Sequence, residues 1–291
     1  MISARAAELR CYMNLMALDS LPQSSTGPHQ GSFRERLSKI QGAGFDGVQF
    51  AIGAKPEQLS DCRALGLDVA GSGRVNSPSE SPALAEQLAG EGYECATLHV
   101  GWGIESDDEA VRLLESTLEA SQRWRIPLYI ETHRATIFQD MWRTVGFVQR
   151  FPDVRINGDF SHWYTGQEMV YGGFEMKFAF IAPVLERVRF LHGRIGNPGC
   201  IQVGIDPNSA AEPLYLKHFK QLWTACFRNF RHTAATGDRI YFTPELLAPD
   251  IYYARTFPNS DGLPVEESDR WEQSLILKRI AEDCFRRAAC S

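Results

Sequence analysis

Strand-like and helix-like stretches alternate along this chain eight times, with little sequence left over between them. The short apolar runs are Leu9 to Leu15, Gly47 to Ala51, Leu67 to Gly71, Cys95 to Val100, Pro127 to Ile130, Val154 to Gly158, Val188 to Leu191 and Ile240 to Thr243. Amphipathic stretches separate them at Ser32 to Ala43, Pro56 to Ala64, Ala83 to Glu91, Asp107 to Trp124, Ile137 to Phe151, Phe174 to Glu186 and Pro213 to His232, and a last one runs from Ser268 to Arg287. In the fourth, Ala110, Val111, Leu114, Leu118 and Ala120 follow the helical period behind the acidic start Ser106-Asp-Asp-Glu.

Alternation of this kind predicts a parallel sheet, and eight units predict closure into a single (β/α)8 TIM barrel with a parallel eight-stranded core. A chain of 291 residues falls within the range of one such barrel, so residues 1–291 read as one domain. A doubly wound open sheet is the alternative, but no Gly-x-Gly-x-x-Gly follows an early strand. Two connections are longer than a barrel needs, Asp19 to Gly31 after the first strand and Arg194 to Glu212 after the seventh. Both follow strand ends, where barrel active sites are built, and both are candidate lids or plain solvent loops.

Four of the apolar runs end on side chains that bind metals. Pro127-Leu-Tyr-Ile leads into Glu131, Val154-Arg-Ile-Asn-Gly into Asp159, Val188-Arg-Phe-Leu into His192, and Ile240-Tyr-Phe-Thr-Pro into Glu245. A buried strand gains nothing from a charge at its end, since desolvating an unpaired carboxylate costs several kcal/mol or more. In a barrel the four would converge at one mouth and could share one divalent cation. Three carboxylates with one imidazole suit Mn2+, Co2+, Mg2+ or Zn2+, one per chain, and the lack of thiolates argues against a structural zinc site. Each residue also has a structural explanation: Glu131 or Asp159 as a helix cap, His192 as a hydrogen-bonded core histidine, Glu245 as a strand terminator after Pro244. Their joint placement favours the metal.

Other polar and aromatic residues lie close in sequence. His162 follows Asp159 by three, Arg194 follows His192 by two, and His99 closes the fourth strand. They read as outer partners of the metal or donors to a substrate. Trp102, Phe160, Trp163 and Tyr164 could wall a sugar site or simply pack the core. Gln202 and Asp206 in the late loop could reach substrate hydroxyls. Gly71-Ser-Gly and Gly196-Asn-Pro-Gly are candidate anion nests or turn punctuation.

The pattern Glu131, Asp159-x-x-His162, His192-x-Arg194 and Glu245, each at a strand end, resembles the xylose isomerase-like TIM-barrel superfamily. It is similar in particular to the sugar isomerase and epimerase branch, as is the opening Phe33-Arg-Glu-Arg-Leu to Gly44-Phe-Asp-Gly-Val-Gln-Phe. The resemblance implies a metal on Glu131, Asp159, His192 and Glu245, with the two glutamates also flanking the substrate carbon. It implies proton transfer through a metal-stabilised enediolate, hence isomerisation or epimerisation of a sugar or related polyhydroxy carbonyl compound. Glu131, Glu245, His162 and Arg194 would be catalytic, and His99, Trp102, Trp163 and Gln202 would bind substrate. A lyase or dehydratase acting on a sugar or keto-inositol is the alternative.

An endonuclease IV-like repair enzyme of the same superfamily is a further reading, weakened because the third strand end supplies no histidine and no Asp-x-His follows His192. Net charge is −6 with no Lys/Arg block, so the footprint of a nucleic-acid binder is missing. A non-catalytic ligand-binding barrel is the remaining class. Seven cysteines without a Cys-x-x-Cys pair read as reduced thiols. Met1 to Arg10 lacks the apolar core of a signal peptide and no stretch approaches about 18 apolar residues, so a cytoplasmic protein without a membrane partner is expected. The expected partner is a small-molecule sugar or polyol-derived substrate, with a homodimer the expected assembly.

Overall fold

In a computed structural model that describes residues 7–51 and 53–289, eight parallel strands close on themselves in the order of the chain. They are β1 (Glu8–Asn14), β2 (Gly47–Phe50), β3 (Asp68–Val75), β4 (Cys95–Val100), β5 (Leu128–Glu131), β6 (Ile156–Asn157), β7 (Val188–His192) and β8 (Arg239–Thr243). Pairing of β1 with β8, Leu9 opposite Ile240 and Cys11 opposite Phe242, seals the barrel. Around it lie α1 (Phe33–Gly42), α2 (Pro56–Ala64), α3 (Glu80–Glu91), α4 (Asp107–Trp124), α5 (Met141–Arg150), the short α6 (Ser161–Gly166), α7 (Phe174–Phe180) and α8 (Ala182–Leu185), then α9 (Leu214–Thr233) and α10 (Arg270–Arg287). The stretch expected as one helix from Phe174 to Glu186 is two, with Pro183 opening the second.

Local chemistry fixes these elements. Ser106 and Glu109 form a reciprocal capping box at the start of α4, behind which Asp107, Asp108 and Glu109 face the positive end of the helix dipole. Ala110, Val111, Leu113, Leu114, Thr117 and Ala120 form its buried stripe, and Arg125 stops it in the left-handed conformation at φ 52°. Strand β3 runs four residues beyond the Gly71 end expected from sequence. Gly71 and Gly73 lie inside it, where a Cβ would come within 2.8 Å of Leu88 and Leu84 respectively, so these glycines admit helix side chains and form no anion nest.

The barrel interior is built in layers. Tyr12, Ala70, Cys95, Tyr129, Phe190 and Tyr241 fill the lower level, with ring centroids 5.4–6.1 Å apart. Gly47 makes room for this layer, since a Cβ there would come 2.7 Å from the Tyr12 ring. Because side chains alternate across a strand, residues two further on point inward one level higher. That level is polar: Asn14, Thr97, Glu131, His192 and Thr243, joined by Gln49 and Asn157, all buried. One step further stand Arg74, His99, His133, Arg194 and Glu245. The sequence of the barrel thus passes from aromatic floor to polar rim within four residues of each strand.

After β8 the chain forms a small antiparallel hairpin, β9 (Thr256–Pro258) with β10 (Pro264–Glu266), before α10. The described cysteines are unpaired thiols, and among the described residues no helix is long and apolar enough to cross a membrane. The start of the Met1 to Arg10 stretch lies outside the described residues.

Candidate metal centre and substrate cavity

Glu131, Asp159, His192 and Glu245 each offer one ligand atom, and these atoms lie within 4.8 Å of one another. Glu131 ends β5, His192 ends β7, Asp159 follows β6 by two residues and Glu245 follows β8 by two. His192 Nδ1 lies 3.3 Å from Glu131 Oε2 and 3.4 Å from Glu245 Oε1. The other ring nitrogen, Nε2, faces Gln49 Oε1 at 3.1 Å. A side-chain oxygen can only accept there, so Nε2 carries a hydrogen, and Nδ1 is the nitrogen that faces the carboxylates and would take a metal or, without one, a proton. Asn157 Nδ2 donates to Glu131 Oε2 at 3.0 Å and lies 3.0 Å from His192 Nδ1.

Arg194 is fully buried and joins the other two acids. One terminal nitrogen donates to Asp159 Oδ2 and, at 2.6 Å, to Glu245 Oε2, while Nε donates to Ser161 Oγ at 3.1 Å. Ser161 in turn donates to Asp159 Oδ1 from its hydroxyl at 2.5 Å and its backbone at 3.1 Å. Arg194 lies two residues beyond the His192 end of β7, close enough along the chain to reach the ligands themselves.

The donor set fits a divalent ion. Glu131 Oε1 is buried with no hydrogen-bond partner among the described residues, a costly condition for a carboxylate oxygen unless it meets a ligand. Three carboxylates against one guanidinium leave excess negative charge, which a dication neutralises. Without the ion, protons respond instead. Burial alone would lower the His192 imidazole, but Glu245 and Glu131 reverse this and hold it up at about 9. Burial pushes the Glu131 carboxyl up, yet His192 and His99 pull it well below the usual range. Burial, aided by Glu131 and Asp159, leaves Glu245 raised against the pull of His192 and Arg194.

Above this group opens a cavity of about 290 Å³, lined by Glu131, His192, Glu245, His99, His133, Arg74 and Tyr253, with Met16, Ala51 and Leu247 as apolar wall. Glu245 is the more open of the two glutamates, its side chain 14% exposed against 1% for Glu131. Three imidazoles cluster beside them, their planes tilted: the His133 ring centroid lies 4.0 Å from that of His99 and 3.9 Å from that of His162. His162, expected at the mouth, is therefore behind His133, completely buried and 3.5 Å from the Arg194 guanidinium. Burial holds it neutral, its pKa well below the usual value.

Other expected site residues fall elsewhere. Trp163 is fully buried and donates its indole N–H to the Phe138 carbonyl at 3.0 Å, so it packs the core. Gln202 spends both ends of its amide on the backbone of Leu247, at 3.0 and 2.9 Å, and serves to hold the late loop against the segment after β8. Asp206 accepts from the Asn208 backbone in an exposed turn. Tyr164 bonds His218, and Phe160 packs on Trp163. Trp102 alone of the four aromatics stands at the rim, half exposed. Gly196-Asn-Pro-Gly is a turn in which Asn197 Oδ1 accepts from the Gly199 and Cys200 backbone.

Sequence reasoning missed His133, Tyr253, Gln49 and Arg74. The strand period carried a signal for two of them: His133 is two residues after Glu131, and Arg74 is two levels above Ala70. Tyr253 lies in the segment before the hairpin, 4.5 Å from the Arg194 guanidinium carbon and with its hydroxyl 3.4 Å from His133 Nε2.

Comparison of the sequence with protein-family models and with curated proteins finds no match. Solved structures do match. An L-ribulose 3-epimerase aligns with a TM-score of 0.60 at 12% identity, covering 97% of this chain and 96% of that one. A xylose isomerase-like TIM barrel protein from Mycobacterium smegmatis, in complex with magnesium, aligns at 0.54 with 15% identity, covering 98% and 100%. The chain has the (β/α)8 TIM-barrel fold and is similar in it to xylose isomerase-like TIM barrel proteins. A protein described as a probable 3-DHS dehydratase, from Bacillus anthracis, shares it at a TM-score of 0.53 and 16% identity, covering 83% and 94%. At such identities the likeness is one of architecture.

Proposed function

We propose that this protein is a divalent-metal-dependent isomerase or epimerase of a sugar or related polyhydroxy carbonyl compound. The observation that carries the reading is that Glu131 and Glu245 both lie beside His192 Nδ1, at 3.3 and 3.4 Å, and both line one cavity. A bound divalent ion, held by Glu131, Asp159, His192 and Glu245, supplies Lewis acidity that stabilises negative charge on substrate oxygens. The protein residues move the proton. Two carboxylates flanking one carbon allow one to remove its proton and the other to return it from the opposite side, which inverts the centre. One carboxylate shuttling the proton between neighbouring carbons isomerises instead.

The two acids differ in a way that suits such a division. Glu131 is enclosed and held ionised by its imidazole neighbours, whereas Glu245 is raised and nearer the cavity. Arg194 is a positioning residue, since its guanidinium orients Asp159 and Glu245 and does not line the cavity. His133 and His99 are the imidazoles that substrate oxygens would meet.

The L-ribulose 3-epimerase fold supports this reading, and the dehydratase relative supports a lyase acting on a similar compound as the second one. The deciding experiment loads the protein with Mn2+ and screens ketoses, aldoses, sugar acids and inositols in deuterated water. Deuterium entering next to a carbonyl is the expected result. Product formation with no exchange at a retained centre moves the assignment to a lyase, and absence of metal binding overturns both. A cytoplasmic homodimer acting on a free small molecule completes the proposal.

A further inference from the structure

We propose that Arg74 seats a carboxylate of the substrate, so that the compound handled is a polyhydroxy acid; this deepens the reading of the site given above and rests on it. Arg74 lies near the end of β3 and lines the same cavity as Glu131 and Glu245. Among the described residues no ion pair engages its guanidinium. One terminal nitrogen donates to the Gly101 carbonyl at 2.7 Å, the other to His99 Nδ1 at 3.4 Å, and its face rests 4.2 Å from the Trp102 ring. These contacts orient the group while leaving three of its five N–H donors uncommitted. The guanidinium is partly exposed at the cavity, with Glu131 and Glu105 near enough to act on it but not paired with it, so its free donors can meet an anionic ligand.

The geometry also gives the substrate a direction. Since Arg74 donates to His99 Nδ1, the His99 hydrogen is on Nε2, which faces Glu131 Oε2 at 3.3 Å. Arg74 and Glu131 therefore stand on opposite nitrogens of one imidazole. A ligand whose carboxylate pairs with Arg74 and whose chain crosses His99 brings its far carbons toward the two glutamates that line the same cavity. A carboxylate suits the seat better than a phosphate. The planar fork of one guanidinium matches a monoanion bidentately, whereas Gly71-Ser72-Gly73 is extended strand and offers no cradle of backbone N–H groups to a dianion.

The test measures binding of matched compounds to the Mn2+-loaded full chain by calorimetry: D-galacturonate, D-galactose and D-galactose 6-phosphate, with the D-glucose series and quinate alongside. At least one acid should bind about tenfold more tightly than its neutral partner, as one charge-assisted pair supplies. In Arg74→Gln that ratio should fall to about one with Mn2+ affinity unchanged, and Arg74→Lys should recover part of it. Neutral and acidic partners binding alike, an acid preference that survives Arg74→Gln, no acid bound at all, or an Arg74-dependent preference for the phosphates would each overturn the proposal. Acid preference without deuterium exchange removes the isomerase reading and leaves the seat; exchange on neutral sugars that Arg74→Gln leaves untouched does the reverse.

Discussion

Gln49 and His192, on β2 and β7, meet across the inside of the barrel at 3.1 Å, Oε1 to Nε2. That contact decides which imidazole nitrogen is free. Asn14 also donates to Gln49 Oε1, at 3.2 Å, and Gln49 Nε2 donates to Thr97 Oγ1 at 3.0 Å, so the amide cannot turn over without losing several bonds. Gln49→Met keeps the volume and removes the acceptor. Mn2+ affinity measured by calorimetry should fall about 10- to 100-fold, the usual effect of deleting a partner that orients a metal-binding histidine, with the far-UV spectrum unchanged.

Arg194→Met tests the charge balance. It leaves Asp159 and Glu245 buried without their cation, which should cost about 3–5 kcal/mol in urea unfolding. Added Mn2+ should return much of that loss. A variant as stable as the parent would show that the guanidinium does not hold these acids.

Glu245→Gln keeps the shape of the side chain and removes its proton chemistry. Once a substrate is in hand, turnover should drop by about 10²- to 10⁴-fold, the range for a lost general acid or base, while unfolding stays cooperative. Retained turnover would take Glu245 out of the mechanism.

The acid limb of stability has a contributor at the surface. The Ser106 hydroxyl and backbone N–H hold the Glu109 carboxylate below its ordinary pKa. A carboxylate depressed on folding stabilises the protein above its unfolded pKa, and this is lost as pH falls through the lower folded value. Melting curves between pH 6 and pH 3 should therefore flatten in Glu109→Gln relative to the parent, with little difference below both values.

The barrel was readable because its strands are short apolar runs bounded by well-capped helices, and α4 carries its stripe and capping box in one segment. The four metal-binding side chains were readable for a related reason: a charge at the end of an apolar run stands out. What stayed hidden depends on contacts between distant segments. Gln202 has the chemistry of a substrate ligand, but the fold presents it with the Leu247 backbone. His162 and His133 are equally polar in sequence, and only the packing of the folded rim shows which of them faces the cavity. Arg74 was lost because Gly71 and Gly73 look like a turn, whereas they let Leu84 and Leu88 press against a continuing strand.

Arg270 belongs to the last helix, yet its buried guanidinium is spent on the first loop, donating to the carbonyls of Ala17 at 2.8 Å and Asp19 at 2.7 Å while pairing with Glu266. During synthesis those carbonyls emerge some 250 residues before their donor. The first loop, whose neighbour Met16 lines the cavity, consequently acquires these bonds only after α10 has left the ribosome. Nascent chains halted before that point would hold most of the cylinder wall with that loop untethered.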